Sequence, residues 1–239
     1  MVKPTNLNSM LKIWSILIIG TFLVFSCTEK STKKKGIVHN ENTEWANTWI
    51  VNTNDTLKPK VLLIGDSHVE RYYGIVSKSL GDTFSCSKFT TSKSLGDPVF
   101  VQQLELLMNQ YKFDFITINN GLHGLKYSTQ EYSSYLPVVH EVLKKSSEGS
   151  VLWVNTTAIR QKNNITAFDI KNEDVTERNS SLLEFIQNNG IPLLDFYSVT
   201  ADSIQFYTND VIHFNQLGVE RQANLLADKI MEIHKSSSD

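Results

Sequence analysis

The sequence predicts an α/β domain in which a parallel sheet is covered by helices on both faces. Two observations carry this. From about residue 60 onward, apolar runs too short for a helix alternate with longer stretches whose apolar residues recur every three or four positions. Parallel strands cannot be joined by a tight turn and need a crossover, for which a helix of that length serves. The alternation therefore implies right-handed strand–helix–strand units around one sheet.

The first strand is expected at residues 61–64, a continuous Val-Leu-Leu-Ile run of the kind a strand buried on both faces requires. A helix follows over about 68–80, then a weaker strand near 83–89. Residues 97–110 place Val99, Leu104 and Leu107 on a helical spacing, and 113–118 read as the third strand. Between 130 and 145, apolar residues at 132, 135, 136, 139, 142 and 143 form a one-sided stripe. Pro137 inside it predicts a kink or a late start, because proline lacks the N–H and clashes with the preceding turn. A fourth strand is expected at 151–154, a helix at 175–188 ended by Asn189-Gly190, and a fifth strand at 191–196. The last helix, 216–233, turns Val219, Ala223, Leu226 and Ile230 inward. Five parallel strands result.

At 239 residues, with 41% hydrophobic and 20% charged side chains, the chain has room for one domain plus a tail. A net charge of -2 leaves no basic footprint for nucleic acid, and Lys33-Lys34-Lys35 reads as a solvated run outside the domain. Lys12 precedes an apolar run, 13–25, that is too short to span a bilayer comfortably. A basic start, a short apolar core and a small residue, Ser26, before Cys27 describe a secretory signal. Cys27 gives it the look of a bacterial lipoprotein signal, in which that thiol is acylated; an ordinary cleaved signal and an uncleaved anchor are the alternatives. Residues 1–9 add nothing to the signal, so Met1 and Met10 both stand as starts. The expected organisation is a signal over 1–27, a tether over 28–59 and a domain over 60–235. Trp45, Trp49 and Ile50 are costly to leave in water, so part of the tether is expected to pack on the domain or to line a cleft. With Cys27 acylated, Cys86 has no partner and reads as a small buried hydrophobe.

Ligands of such sheets bind beyond the carboxyl ends of the strands. Gly65-Asp66-Ser67, Ser94-Leu95-Gly96-Asp97, Asn119 to His123, Asn155 to Arg160 and Asp210 to His213 are therefore expected to meet at one rim. A serine hydroxyl attacks only when a base takes its proton, and an imidazole base needs an acceptor on its other nitrogen. Asp210-Val211-Ile212-His213 supplies base and acceptor within one turn. A serine at a strand-to-helix turn also aims free N–H groups at whatever it attacks. Gly-Asp-Ser and Asp-x-x-His are each common, but the first ending the opening strand and the second preceding the last helix weigh much more together.

In these motifs the sequence, over roughly residues 60–233, resembles the SGNH or GDSL-like hydrolases. The resemblance implies a three-layer, flavodoxin-like fold and ester or thioester hydrolysis with no metal and no cofactor. It carries the nucleophile to Ser67, the base and its orienting acid to His213 and Asp210, and oxyanion donors to the N–H groups of Ser67 and Gly96. The third block departs from the family pattern Gly-x-Asn-Asp. Aligned on Gly121, the asparagine position holds His123 and the aspartate position holds Gly124. Either His123 or Asn120 is then the third oxyanion donor, or His123 is a histidine satisfied by the loop backbone and the donor is missing.

Around the rim, His68 reads as a helix-start or packing residue, and Arg160 as either a substrate anchor or a structural cation. His140 lies on a helix away from the rim, and His39 and His234 fall in flexible ends. No spacing of His, Cys or Glu reads as a metal site. The expected activity is hydrolysis of short acyl esters, acetyl first, on a small or carbohydrate substrate, by a protein lipid-anchored to a bacterial envelope membrane. Two other classes are a catalytically weak glycan-binding surface lipoprotein and a phosphate binder using Gly65-Asp66-Ser67. Asp66 would repel the phosphate, and the latter reading gives Asp210 and His213 no role.

Overall fold

A computed structural model of the chain describes residues 37–145 and 147–236. Cys27, the expected signal segment and Lys33 to Lys35 lie outside them. Among the described residues, eight strands and seven helices follow in the order β1 (Ala46–Trp49), β2 (Lys60–Gly65), α1 (Ser67–Leu80), β3 (Ser85–Thr91), α2 (Pro98–Gln110), β4 (Phe113–Asn119), α3 (Thr129–Ser134), α4 (Leu136–Lys144), β5 (Ser147–Val154), β6 (Arg160–Gln161), β7 (Asn164–Phe168), α5 (Asn172–Asn189), β8 (Leu193–Leu194), α6 (Phe196–Thr200) and α7 (Gln216–Ser236), with a 3₁₀ turn at Ile204–Phe206.

The main sheet has the order β1-β3-β2-β4-β5-β8. All five strands from β3 to β8 are parallel, as expected, but the sheet has six members: β1 adds antiparallel to the β3 edge. The sixth strand escaped the periodicity because Ala-Asn-Thr-Trp carries no alternating apolar face, and all four residues are exposed. Its pairing is mainly backbone. β6 and β7 form a separate two-stranded ribbon that the pattern also missed.

Side chains of β2 alternate between two cores. Val61 and Leu63 join Val69, Tyr72 and Val76 of α1 and Ala223, Leu226 and Ile230 of α7 on one face. Leu62 and Ile64 join Leu104 of α2, Val139 and Leu143 of α4 and Leu182 and Ile186 of α5 on the other. The three-layer architecture follows from this double burial. The stripe at 130–145 is two helices, broken at Tyr135, with Pro137 in the first turn of α4 where its missing N–H costs nothing. Gly190 closes α5 in the left-handed conformation at φ 63°.

Chain direction places the site. β3 and β4 flank β2 on opposite sides, so the connections leaving β2 and β3 diverge at the carboxyl end of β2. That divergence is the switch point where doubly wound sheets open a crevice.

Candidate active site

β2 runs directly into α1 through Gly65 and Asp66. A Cβ on Gly65 would collide with the side chain of Val69 and stand 2.8 Å from the carbonyl of Asn119, so the turn is closed to larger residues. Asp66 caps α1, its Oδ1 accepting from the His68 N–H at 2.9 Å. Ser67 is thereby fixed as the first helical residue. Its N–H belongs to the opening turn, where N–H groups have no partner within the helix.

His213 reaches Ser67 from the turn before α7. Ser67 Oγ and His213 Nε2 are 2.7 Å apart, and His213 Nδ1 lies 2.6 Å from Asp210 Oδ2. A carboxylate cannot donate, so the Nδ1 proton points to Asp210 and the Nε2 lone pair faces the serine hydroxyl. Asp210 Oδ1 also accepts from the N–H groups of Ile212 and His213, at 3.0 and 2.8 Å, and from Thr208 Oγ1 at 2.8 Å. Partial burial works against its ionisation, yet the His213 and Ile212 N–H groups, the His213 ring and Thr208 hold its pKa well below the usual carboxylate range. Val211, between Asp210 and His213, sits at φ 62°, a conformation that a β-branched residue adopts only under constraint. Hydrogen bonds from Val211 N–H to the Thr208 carbonyl and from Arg160 N–H to the Val211 carbonyl supply that constraint.

His68 packs against His213. It is buried, stacked on the His213 ring at 5.4 Å between centroids, with the edge of Phe214 5.3 Å away. Burial, together with the charges of His213 and Arg71 and against that of Asp66, pushes its pKa down to about 4. It is a neutral packing partner. Cys86 is likewise buried, and burial raises its thiol to about 12.

Gly96 is held against aromatic residues of the next loops: a Cβ there would lie 3.2 Å from Tyr127 Cβ and 3.3 Å from Tyr132 Cα. Asn120 ties this loop to its own. Its Oδ1 accepts from Leu95 N–H at 2.8 Å and its Nδ2 donates to the Lys93 carbonyl at 2.9 Å. The Asn120 amide is thus spent on holding the Gly96 loop. His123 makes a different contact: its Nδ1 lies 3.0 Å from both carboxylate oxygens of Glu41, and the edge of Trp45 approaches its ring at 6.1 Å.

Two residues unnoticed in the sequence shape this rim. Arg178 of α5, almost fully buried, donates to the carbonyls of Gly121, His123, Gly124 and Tyr127 at 2.8 to 3.0 Å. The readable sign was a charged residue between Val175 and Leu182 on the inner face of a helix. Glu41 left no sign, being one polar residue among many. Arg160 is structural: it is buried, donates to the Thr166 carbonyl and stacks on Phe168 at 4.0 Å, pinning the β6–β7 ribbon. His39 and His234, expected in flexible ends, instead pack on Tyr127 and Phe84, each at 4.8 Å. His140 meets Trp153 and Phe185. Among the described residues, no three His, Cys, Asp or Glu are grouped as metal ligands.

No family model and no curated protein sequence matches the chain. Solved structures do. A GDSL-like lipase from Bacteroides thetaiotaomicron superposes with a TM-score of 0.59 at 12% identity, over 72% of this chain and 88% of that one. A member of the lipolytic G-D-S-L family from Veillonella parvula gives 0.57 at 19% identity, over 73% and 97%. An acetyl xylan esterase gives 0.58 at 16% identity, over 72% and 99%. The fold is that of the SGNH or GDSL-like hydrolases.

Proposed function

We propose that the chain is a serine esterase that hydrolyses short acyl esters, acetyl esters on carbohydrate first among them. One observation carries this reading: Ser67 Oγ stands 2.7 Å from a His213 nitrogen whose partner nitrogen is held by Asp210. Structural likeness to an acetyl xylan esterase supports the acyl group and the class of alcohol.

Ser67 Oγ attacks the ester carbonyl as His213 Nε2 takes its proton, and Asp210 steadies the imidazolium. The N–H groups of Ser67 and Gly96, with His123 as third donor, hold the oxyanion. His213 returns the proton to the departing alcohol, leaving an acyl group on Ser67. Water, deprotonated by His213, cleaves that acyl-enzyme to the carboxylic acid and frees the serine. Every proton is conserved, and no cofactor is required. Ser67→Ala should reduce turnover of p-nitrophenyl acetate to background while thermal unfolding stays unchanged, and a fluorophosphonate probe should label the native chain on Ser67. Undiminished turnover by the variant would sink the assignment.

A glycan-binding surface protein is the second reading, favoured by Trp49, which leaves 60% of its surface in water on the edge strand. It predicts sugar binding without labelling of Ser67. In either case the sequence Ser26-Cys27 supports an envelope lipoprotein. Cys27→Ala should then abolish incorporation of a labelled fatty acid and release the protein from the membrane fraction.

A further inference from the structure

We infer that Glu41 is a positioning residue for the oxyanion hole, supplied from the segment before β1, and that it decides what His123 presents to the substrate. The inference rests on the serine-esterase reading above. Its starting point is the aspartate that the third block lacks. Gly124 occupies that position at φ 61°, with its Cβ direction closed by Ser94, so no acidic side chain fits there. A carboxylate arrives from elsewhere. Glu41 Oε1 accepts from Gly124 N–H at 3.0 Å, and both its oxygens lie 3.0 Å from His123 Nδ1.

Glu41 is held in place by its neighbours. His39 N–H donates to Tyr127 Oη at 2.8 Å, and Asn40 Oδ1 accepts from Lys93 Nζ at 3.2 Å. Glu44 accepts from Ser92 Oγ at 2.5 Å and pairs with Lys93 at 3.0 Å, while Lys93 also meets Asp97 at 3.2 Å. Trp45 exchanges hydrogen bonds with Ser92. Residues 39–45 therefore fasten the two loops that carry Gly96 and His123 to each other. From within, Arg178 holds the carbonyls of the second loop.

The chemical consequence concerns one proton. With Nδ1–H committed to Glu41, a neutral His123 offers a lone pair at Nε2, which would repel an oxyanion. Only the imidazolium offers an N–H there, and a charged donor bonds an oxyanion more strongly than a neutral one. Glu41 is the counter-charge that accompanies this form. Glu41 and His123 thus act as one unit, split between a segment outside the family pattern and a loop inside it.

The test is a set of full-length variants assayed on p-nitrophenyl acetate. His123→Ala should lower kcat by about 100-fold and Glu41→Ala by at least about 10-fold, each with KM within about twofold of the native value. Glu41→Gln, which keeps the acceptor and loses the charge, should fall between. Adding Glu41→Ala to His123→Ala should cost nothing more. The discriminating background is His123→Asn, whose amide donates whatever stands behind it. There Glu41→Ala should cost kcat far less than it does in the native background. Equal losses from Glu41→Ala in the native and His123→Asn backgrounds would make Glu41 a structural residue and overturn the inference, as would a kcat within about twofold of native for Glu41→Ala alone. Imidazole nitrogen NMR reads the coupling without turnover. Both ring nitrogens of His123 should carry protons in the native chain, and one of them should be lost in Glu41→Ala; an unchanged spectrum overturns the inference. A native chain that neither hydrolyses esters nor takes up the fluorophosphonate defeats the esterase reading itself.

Discussion

His68 is shut away from water against the ring of His213, and that burial keeps its imidazole neutral down to a pH of about 4. In the unfolded chain the same ring takes a proton near its ordinary value of 6.5. Between those two values the unfolded state binds the extra proton, so acid favours unfolding. Stability should be full above pH 6.5, fall as pH drops toward about 4, and lose on the order of 3 kcal/mol to this residue. Urea midpoints at pH 7, 5 and 4, compared with those of His68→Phe, check this. Asp210, Glu44, Glu70 and Asp195, and His140 as well, have lowered folded pKa values and add to acid destabilisation equally in both proteins, so the difference isolates His68. An equal slope in the variant would refute it. Ser67, Asp210 and His213 were readable in the sequence because their chemistry is local: three residues end a strand, four form a turn. Glu41 was not, since it belongs to no motif and nothing in its neighbours marks it.

Loops, more than helices or strands, set the shape of the site, and the element that shapes them most is α5. The core strands and long helices could be read because burial imposes a period on the sequence. The ribbon β6–β7 could not, because Arg160–Gln161 is too short to show a period and Asn164–Phe168 buries neither face, whereas β8 falls inside the strand expected at 191–196. The ordering of the 121–127 loop was equally hidden. It comes from Arg178, whose guanidinium serves four carbonyls and lies 4.6 Å from the Tyr132 ring. Arg178→Met keeps the length and removes every donor. It should cost about 3 kcal/mol in denaturant unfolding, because buried carbonyls lose their partners. Arg178→Lys should recover only part of that loss, since one ammonium cannot fork to four acceptors. Full recovery by lysine would show that the charge alone matters.

The sheet as a whole begins outside the stretch whose pattern announced it. β3 would be an open edge, buried along most of its length, if β1 did not pair with it from Ala46↔Thr91 to Trp49↔Lys88. An uncovered edge of that kind is a template for another chain. The same residues lead back to Glu44 and Glu41, so edge protection and the proposed oxyanion rim share one segment. This makes a joint prediction for two chains, one starting at residue 37 and one at residue 52. The shorter should retain the two cores, which take no residue from the missing segment except the flanking Ile50. It should nevertheless lose at least about 10-fold in kcat, the loss expected of Glu41→Ala. It should also self-associate in light scattering through the exposed β3 edge, while the longer chain stays monomeric. Association without loss of turnover would separate the two roles and place them in different residues. A monomeric, fully active short chain would remove both, and with them the reason for the segment to cross the rim at all.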